Sequence, residues 1–291
     1  MDNKVYEIIT NQIIELLEKG IVPWHKPWKG MANTPKNLKT KKEYRGINPW
    51  ILASHGYASP WWVSFNQCKS MGGAVKSGEK GTIIVFWKPV DYKTKDNDGN
   101  DTTKKVFILR YYRVWNSEQC EGLKVPTEKE EEKKDFTPIQ ECERVVSEYN
   151  NMVPVNHGGG RAFYSPDRDT IGMPEKETFD GSEEYYSTLF HEIVHSTGHE
   201  SRLDRDLKNW FASPEYSKEE LVAEIGAAYL CGFAGITNTI KNSASYIGGW
   251  LKKLRDDKKF IISAAAQAQK ACDFILNKTY KEKTDEEAQA E

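Results

Sequence analysis

The most concentrated chemistry of the chain lies in the segment His191–His199, which holds three of the six histidines. His191, Glu192 and His195 form the pattern H-E-x-x-H. On a helix, positions i and i+4 share one face, so both imidazoles can reach a single metal ion. Glu192 then lies beside the ion, where it can act as general base toward a water molecule. The pattern indicates a metal-dependent hydrolytic site, and the alternative is a chance match on an amphipathic helix.

A catalytic zinc site needs a third protein ligand and an open fourth position. The extended metzincin pattern would place a histidine six residues after His195, but Ser201 stands there. His199 is the nearest remaining imidazole, although it lies just beyond the turn expected at Gly198. The third ligand is therefore sought on the next predicted helix.

That helix carries Glu220 and Glu224, whose spacing resembles the Glu-x-x-x-Asp/Glu pattern of gluzincin peptidases. In that pattern the first acid binds the metal and the second supports a ligand histidine, so we assign Glu220 as ligand and Glu224 as acceptor from a histidine N–H. Ser217 and Glu220 also match a capping box, and under that interpretation Glu224 is the ligand. Zinc is the favoured ion, and manganese stays open because a His/His/Glu set accepts several divalent ions.

Charge and tryptophan are unevenly distributed along the chain. Residues 1–120 hold 19 Lys and Arg against 11 Asp and Glu, together with seven of the nine tryptophans. A surface for single-stranded nucleic acid needs cations for phosphates and flat rings for unstacked bases. The alternative is that tryptophan fills a small core while lysine coats it.

The first half supplies two sets of candidate DNA-binding residues. The candidate phosphate contacts are Lys39, Lys41, Lys42, Arg45, Lys76 and Lys80. The candidate base-stacking rings are Trp24, Trp28, Tyr44, Trp50, Trp61 and Trp62. For each ring, packing in the core is the competing interpretation.

Composition excludes several classes of protein. No apolar run approaches the ~20 residues needed to span a bilayer, so no membrane association is expected. The N-terminus lacks a basic segment followed by an apolar one, which disfavours a secretory signal. Five scattered cysteines without a C-x-x-C pair indicate a reducing cytoplasm rather than a disulfide framework.

Hydrophobic periodicity and turn residues predict an α+β chain of two domains. Helices are predicted at 4–19, near 48–52, 64–71, 138–150, 182–198, 217–234, 243–256 and 258–277, and the main strands at 82–87 and 105–115. Three short β segments are predicted between 153 and 173. We expect a basic, Trp-rich domain at 1–120 with a small antiparallel sheet, a charged linker at 121–137, a mostly helical domain with a small sheet at 138–280 and a disordered tail at 281–291.

Small residues in the middle of the 217–234 helix are expected to let it approach the H-E-x-x-H helix closely. They are Ala223, Gly226, Ala227 and Ala228. Four charged residues are expected to tie loops together through salt bridges: Asp169, Arg202, Asp204 and Arg205.

With these residues in view, the chain resembles the ArdC-type antirestriction proteins of plasmids and phages over nearly its whole length. The resemblance rests on YRGINPWIL (44–52), WVSFNQ (62–67), GGAVKSGEKGTIIVFW (72–87), AFYSPDRDTIGMP (162–174), LFHEIVHSTGHESRLDR (189–205), EELVAEIGAAYL (219–230) and the late segment 245–276. It implies an N-terminal single-stranded DNA-binding domain and a C-terminal zincin-like metallopeptidase domain. It also implies protection of incoming DNA from host restriction.

Three functions remain in competition at this point. The first is a DNA-binding antirestriction protein whose metal site hydrolyses a peptide bond, with a host restriction-system protein as a further candidate partner. The second is a DNA-shielding protein whose metal site is not catalytic, although the retained Glu192 argues against it. The third is a peptidase whose basic half recruits a protein, and it predicts no salt-dependent affinity for oligonucleotides.

Overall fold

The computed structural model describes residues 3–24, 34–95, 101–126, 138–205, 207, 218–238 and 244–279. Trp28, Ser217, most of the predicted linker and the predicted tail lie outside these ranges. The architecture is α+β, with two domains built from helices and small sheets, as the sequence predicts. Within the described residues, no helix is both long and apolar enough to cross a bilayer.

The first half begins with helix α1 (Asn3–Glu18), whose Ile9 and Ile13 are fully buried. Its other elements, in chain order, are β1 (Lys36–Asn37), α2 (Asn48–Ala53), β2 (Trp61–Ser64), α3 (Phe65–Ser70), β3 (Ala74–Val75), β4 (Thr82–Lys95), β5 (Asp101–Asn116) and β6 (Cys120–Glu121). Helix α3 starts at a capping box, in which Ser64 and Gln67 satisfy each other's backbone N–H groups.

The main sheet has the strand order β1-β2-β5-β4. Strands β4 and β5 pair antiparallel along their whole length, from Thr82 opposite Val114 to Lys95 opposite Asp101. Strand β2 pairs with β5 only at residues 114–116. The sequence predicted both long strands as shorter. Pro89 lies inside β4, and the sheet accepts it because β4 is an edge strand that needs no ladder on its outer side.

The second half is mostly helical. It contains α4 (Pro138–Glu148), β7 (Val155–His157), β8 (Phe163–Ser165), β9 (Thr170–Met173), α5 (Ser182–Ser196), α6 (Lys218–Ala234), α7 (Ala244–Asp256) and α8 (Phe260–Ile275). The three strands form a small sheet of order β7-β9-β8, in which β8 runs antiparallel to β9.

One hydrophobic cluster of buried residues joins the two halves. Trp24 meets Trp250 edge to face, with ring centroids 5.4 Å apart. Trp50 on α2 meets Tyr229 on α6, with centroids 4.6 Å apart. Pairs of this kind contribute roughly 0.5–1.5 kcal/mol beyond the area they bury. Tryptophans from the basic half therefore contribute to a core that the two halves share.

Helices α5 and α6 approach closely where their side chains are small. A Cβ at Gly226 would lie 2.8 Å from a methyl carbon of Val194, which real Cβ atoms essentially never do. Ala223, Ala227 and Ala228 are fully buried on the same helix. The structure thus confirms the expected close approach, which brings the acids of α6 against the histidines of α5.

Candidate metal centre and nucleic-acid interface

Helix α5 directs its two histidines toward one point. The rings of His191 and His195 have centroids 4.7 Å apart and an interplanar angle of 81°. Their Nε2 atoms lie 3.1 Å apart. His195 is 1% exposed and His191 is 14% exposed, so one ligand is enclosed and the other faces the site opening. The i and i+4 spacing therefore produces the shared face that the sequence predicts.

Helix α6 adds Glu220 between the two rings. Its Oε2 lies 3.5 Å from Nε2 of His191, and its Oε1 lies 3.5 Å from Nε2 of His195. One ligand atom from each of the three residues lies within 4.8 Å of the others, and no other such group occurs within the described residues. Two imidazoles and one carboxylate match the donor set of a zincin site and leave a fourth position open. Of the two candidate acids, Glu220 is the one grouped with both histidines, and Glu224 is not in that group.

A carboxylate that the sequence analysis did not single out holds His195 in place. Glu219 Oε1 lies 3.2 Å from Nδ1 of His195, on the side of the ring opposite the ligand atom. Arg205 donates to both oxygens of Glu219, at 2.7 and 2.9 Å. Burial alone raises the pKa of Glu219, but the bonds from Arg205 and His195 outweigh it and hold the pKa below its ordinary value. Glu219 is therefore an ionised acceptor for the histidine N–H.

Glu192 is buried beside the histidines. It is 6% exposed, and its Oε2 has no hydrogen-bond partner among the described residues. Burial raises the pKa of this carboxyl, while the charges of His191 and His195 and a hydrogen bond from the backbone of Tyr164 oppose the rise. A carboxylate with one unoccupied oxygen next to a ligand set has the arrangement of a general base.

Glu224 and His199 lie outside the group formed by His191, His195 and Glu220. Glu224 is buried and its Oε2 has no hydrogen-bond partner among the described residues, whereas Glu219 contacts Nδ1 of His195. Burial, with the charge of Glu220, raises the pKa of Glu224 to about 7. His199 lies beyond the end of α5, with Nδ1 2.8 Å from Oγ of Ser201, and is outside the ligand group.

The loop after α5 is fixed by two arginines. Arg202 forms an ion pair with Asp169 and donates to the carbonyl oxygen of Ser196 at 2.7 Å. Tyr164 donates to Asp169 at 2.7 Å. The hydrogen bond from Arg202 lowers the pKa of Asp169 below its ordinary value, even though burial opposes this. Arg202 and Asp169 form the expected salt bridge, and Arg205 forms one with Glu219 on α6.

In the basic half, the structure brings lysines together around one indole. The Nζ atoms of Lys36 and Lys41 lie 4.9 and 4.6 Å from the centre of the Trp61 ring. Lys39 is exposed, and its Nζ lies 3.4 Å from Oγ of Ser70. Trp61 is only half-buried at the end of the sheet. Cations next to a partly exposed ring form a surface suited to a phosphate and an unstacked base.

Several predicted DNA contacts lie elsewhere. Trp50 and Trp62 are 0% and 2% exposed, so the structure assigns both to the core and not to base stacking. Trp24 is likewise fully buried. Tyr44 packs against the small cluster that contains Trp62. Arg45 forms an ion pair with Asp273 on α8, which joins the two halves instead of facing solvent alone.

The remaining predicted phosphate contacts are exposed. Lys76 donates to the carbonyl oxygen of Glu118 at 2.7 Å, and Lys80 follows in the same exposed loop. Lys42 is exposed next to Lys41. The lysines predicted to contact phosphate are thus exposed, whereas most of the described rings predicted to stack on bases are buried.

Comparisons with known proteins also divide the chain into two halves, which match two different family models. A model of the N-terminal domain of anti-restriction factor ArdC matches residues 3–115, and a model of a zincin-like metallopeptidase matches residues 140–267. The chain is 37% identical to the DNA primase TraC of Escherichia coli over 97% of its own length, and it spans 28% of the length of that primase. It is 34% identical to the uncharacterized protein y4eC of Sinorhizobium fredii, covering 93% of this chain and 91% of that protein.

Solved structures extend the likeness to three dimensions. The antirestriction protein ArdC of plasmid R388, in its Mn(II)-bound form, superposes with a TM-score of 0.74 at 34% identity. The match covers 96% of this chain and 99% of that one, and the metal-free form gives the same TM-score. The chain therefore belongs to the ArdC antirestriction family, with an ArdC-type N-terminal domain followed by a zincin-like domain.

Proposed function

We propose that this chain binds single-stranded DNA through its N-terminal half and carries a divalent-metal peptidase site in its C-terminal half. Together the two activities protect incoming DNA from host restriction. The observation that supports the proposal most directly is the set His191, His195 and Glu220 with the buried Glu192 beside it. We also propose the domain division expected from the sequence, which the two separate family matches support.

The residues around the site fit a cation. Four buried carboxylates surround two imidazoles there: Glu192, Glu219, Glu220 and Glu224. Burial alone lowers the pKa of His191, but the hydrogen bond to Glu220 and the neighbouring carboxylates raise it to about 9. Such an excess of negative charge in an enclosed site favours a positive ion. Zinc is the first expectation, and manganese is supported by the Mn(II)-bound form of the R388 relative.

The ligands would be His191, His195 and Glu220. When bound, the ion would polarise a carbonyl group and favour deprotonation of water. Glu192 would accept a proton at Oε2, the oxygen without a partner, and later return it to the leaving amine. Glu219, held by Arg205, would keep the Nδ1 proton of His195 in place, so that Nε2 faces the ligand position. The arrangement supports hydrolysis of a peptide bond in a protein partner, for which a host restriction-system protein is the candidate.

The DNA-binding part is supported by the lysines around Trp61. Lys39 and Lys41 are exposed, and Lys41 lies over the indole of Trp61. A single strand placed there would exchange its counterions for lysine side chains, so its affinity would fall as salt rises. This behaviour separates DNA binding from the alternative in which the basic half recruits a protein.

The test of the DNA-binding part uses a fluorescent single-stranded oligo(dT) and anisotropy across a salt series. The Lys39→Ala/Lys41→Ala variant is compared with a matched control, Lys252→Ala/Lys253→Ala, which removes two exposed lysines from α7. We expect tight wild-type binding, a weaker double variant with a shallower salt slope, and an unchanged control. Absence of oligonucleotide binding by the folded, metal-loaded wild type would overturn this part of the proposal.

The test of the peptidase part uses Glu192→Gln, which keeps the shape of the side chain but removes its basicity. We expect this variant to retain about one divalent ion per chain and wild-type oligonucleotide affinity, and to lose protection of transferred DNA in a restricting host. Full protection by Glu192→Gln would show that the site is not catalytic and that DNA shielding is sufficient.

A further inference from the structure

The hairpin of β4 and β5 extends beyond the sheet that anchors it. Strand β2 contacts β5 only from Val114 onward, so at residues 101–113 the only described strand that pairs with β5 is β4. We call the paired segments 83–95 and 101–113 the ribbon. A two-stranded ribbon has little core of its own, because stable sheets need a third strand or a covered face. Val85 and Leu109 are buried in the core at the base of the ribbon, whereas most side chains farther along it are exposed and available to a partner.

The ribbon exposes large apolar side chains to an unusual degree. Of the eight large hydrophobic residues that are exposed within the described part of the chain, five lie on the ribbon. They are Trp87 (46%), Tyr92 (60%), Val106 (40%), Phe107 (51%) and Tyr111 (46%). Isolated exposed apolar residues need no explanation, but a cluster on one element marks an interaction surface.

Strand register places three of these rings on one face. Trp87 lies directly opposite Leu109, and Phe107 and Tyr111 are two residues to either side of Leu109. Side chains two residues apart on a strand point to the same face, about 6.8 Å apart along it. Trp87, Phe107 and Tyr111 therefore share one face, which we call the Trp87 face. The same face carries Val85 and Leu109, which are buried, so the three rings are its exposed aromatic side chains.

Both faces of the ribbon carry cations. Lys93, Lys105 and Arg113 share the Trp87 face by register, and Lys88, Lys104 and Arg110 lie on the other face. All six are exposed. Within the described part of the chain, none of the six has an ion-pair partner. The ribbon thus combines exposed rings with exposed cations, and of the six only Lys105 has an acid, Asp91, directly opposite it in the register.

We propose that the Trp87 face of the ribbon binds single-stranded nucleic acid, with bases stacked on its three rings and phosphates held by its cations. This inference rests on the proposed function and names a surface for it that is separate from the lysines around Trp61. A second copy of this chain fits the surface less well, because the three cations of one Trp87 face would meet the same three of the other. Double-stranded DNA also fits less well, because its bases are stacked inside the helix and cannot reach the rings.

The experiment uses the full-length protein, a labelled oligo(dT) and a duplex of equal length. Trp87→Ala/Phe107→Ala/Tyr111→Ala removes the rings, and Lys93→Ala/Lys105→Ala/Arg113→Ala removes the three cations of the Trp87 face. We expect the Kd for oligo(dT) to rise at least tenfold in the ring variant, because each stacked base contributes measurably to affinity. The cation variant should lower the slope of log K against log salt by about 2, since each lost phosphate contact removes roughly 0.7. The wild type should prefer the single strand over the duplex.

The matched controls are Phe163→Ala, which removes an exposed ring from β8, and Lys252→Ala/Lys253→Ala/Lys270→Ala, which removes exposed lysines from α7 and α8. Both should bind like the wild type, and circular dichroism should show all variants folded. Unchanged binding by both ribbon variants, with a wild type that does bind, would overturn the ribbon assignment while leaving the proposed function intact. A wild type that binds no oligonucleotide would overturn both. A wild-type dimer that dissociates in the ring variant without loss of DNA affinity would assign the face to self-association instead.

Discussion

Glu219 joins Arg205 to the imidazole of His195: its Oε1 lies 3.2 Å from Nδ1 of His195, and the guanidinium of Arg205 donates to both of its oxygens. The same guanidinium donates to the carbonyl oxygen of Val194 and to the hydroxyl of Thr197. Arg205 therefore links Glu219, which orients the candidate ligand His195, to the C-terminal end of α5, the helix that carries His195. We therefore expect affinity for metal to depend on this network as well as on the three candidate ligand atoms.

The first prediction concerns this network. Glu219→Gln removes the negative charge that faces Nδ1 of His195 while it preserves side-chain size. We expect affinity for Zn²⁺ or Mn²⁺ to fall by roughly 10- to 100-fold, the usual effect of removing a partner of a ligand histidine. Competition with a chromogenic chelator measures the change. Glu200→Gln removes an exposed carboxylate after α5 and should leave the affinity unchanged. Equal affinities in the two variants would contradict a role for Glu219 in orienting His195.

The second prediction concerns the contact of α5 and α6. A Cβ at Gly226 would lie 2.8 Å from Val194, so Gly226→Ala is expected to lower the free energy of unfolding by about 1–3 kcal/mol through overpacking. Urea denaturation measures this. Gly248→Ala on α7 is the matched control, because nothing lies within 4 Å of its added Cβ. It should be neutral or stabilise by about 0.5–1 kcal/mol, the ordinary helix gain of alanine over glycine.

A double variant shows whether the cost at Gly226 arises from the clash. Val194→Ala alone opens a cavity and destabilises the fold. Combined with Gly226→Ala, it makes room for the added methyl group, so the two effects should total less than their sum. Additive costs would mean that α5 and α6 do not meet at these two residues.

The third prediction separates packing from base stacking among the tryptophans. Trp50 is fully buried against Tyr229, whereas Trp61 is half-buried below Lys36 and Lys41. Trp50→Ala should lower the free energy of unfolding by about 3–5 kcal/mol, as expected for a large ring removed from a core. Trp61→Ala should cost less stability and weaken oligo(dT) binding by roughly 1–3 kcal/mol if a base stacks on it. Denaturation and anisotropy on both variants distinguish these roles, and the reverse pattern would contradict both assignments.

Local sequence was sufficient to predict the two helices that carry the candidate ligands. It was insufficient to predict which side chains contact those ligands. The H-E-x-x-H spacing determines which face of α5 carries His191 and His195, and the small residues of α6 indicate close packing. Glu219 was missed because two adjacent acids point in different directions on a helix, and only the position of His195 and Arg205 shows which one contacts a ring. The only local signal was the acid pair itself.

The tryptophans show a second limit. Trp50 and Trp61 both lie in the basic, Trp-rich half of the sequence, so overall composition could not separate a core ring from a partly exposed one. The contact that buries Trp50 comes from Tyr229, which lies 179 positions later in the chain. The exposed rings of the ribbon were not predicted for a similar reason. Their exposure depends on where the hairpin extends beyond the strand β2, which pairs with β5 only at residues 114–116.

The fourth prediction is a pH dependence at the loop after α5. The hydrogen bond from Arg202 lowers the pKa of Asp169, so ionised Asp169 stabilises the folded state above the ordinary pKa of an aspartate. That contribution is lost as pH falls through the lowered pKa, because the carboxylate must then be protonated. Asp169 has a φ of 49°, which asparagine tolerates, so Asp169→Asn tests the charge without backbone strain. Thermal unfolding should show the variant less stable than wild type at pH 6, with the difference unchanged until the pH nears the ordinary aspartate pKa of about 4 and shrinking below it toward pH 3. A difference that stays constant over this range would mean that Asp169 and Arg202 act through shape and hydrogen bonding alone.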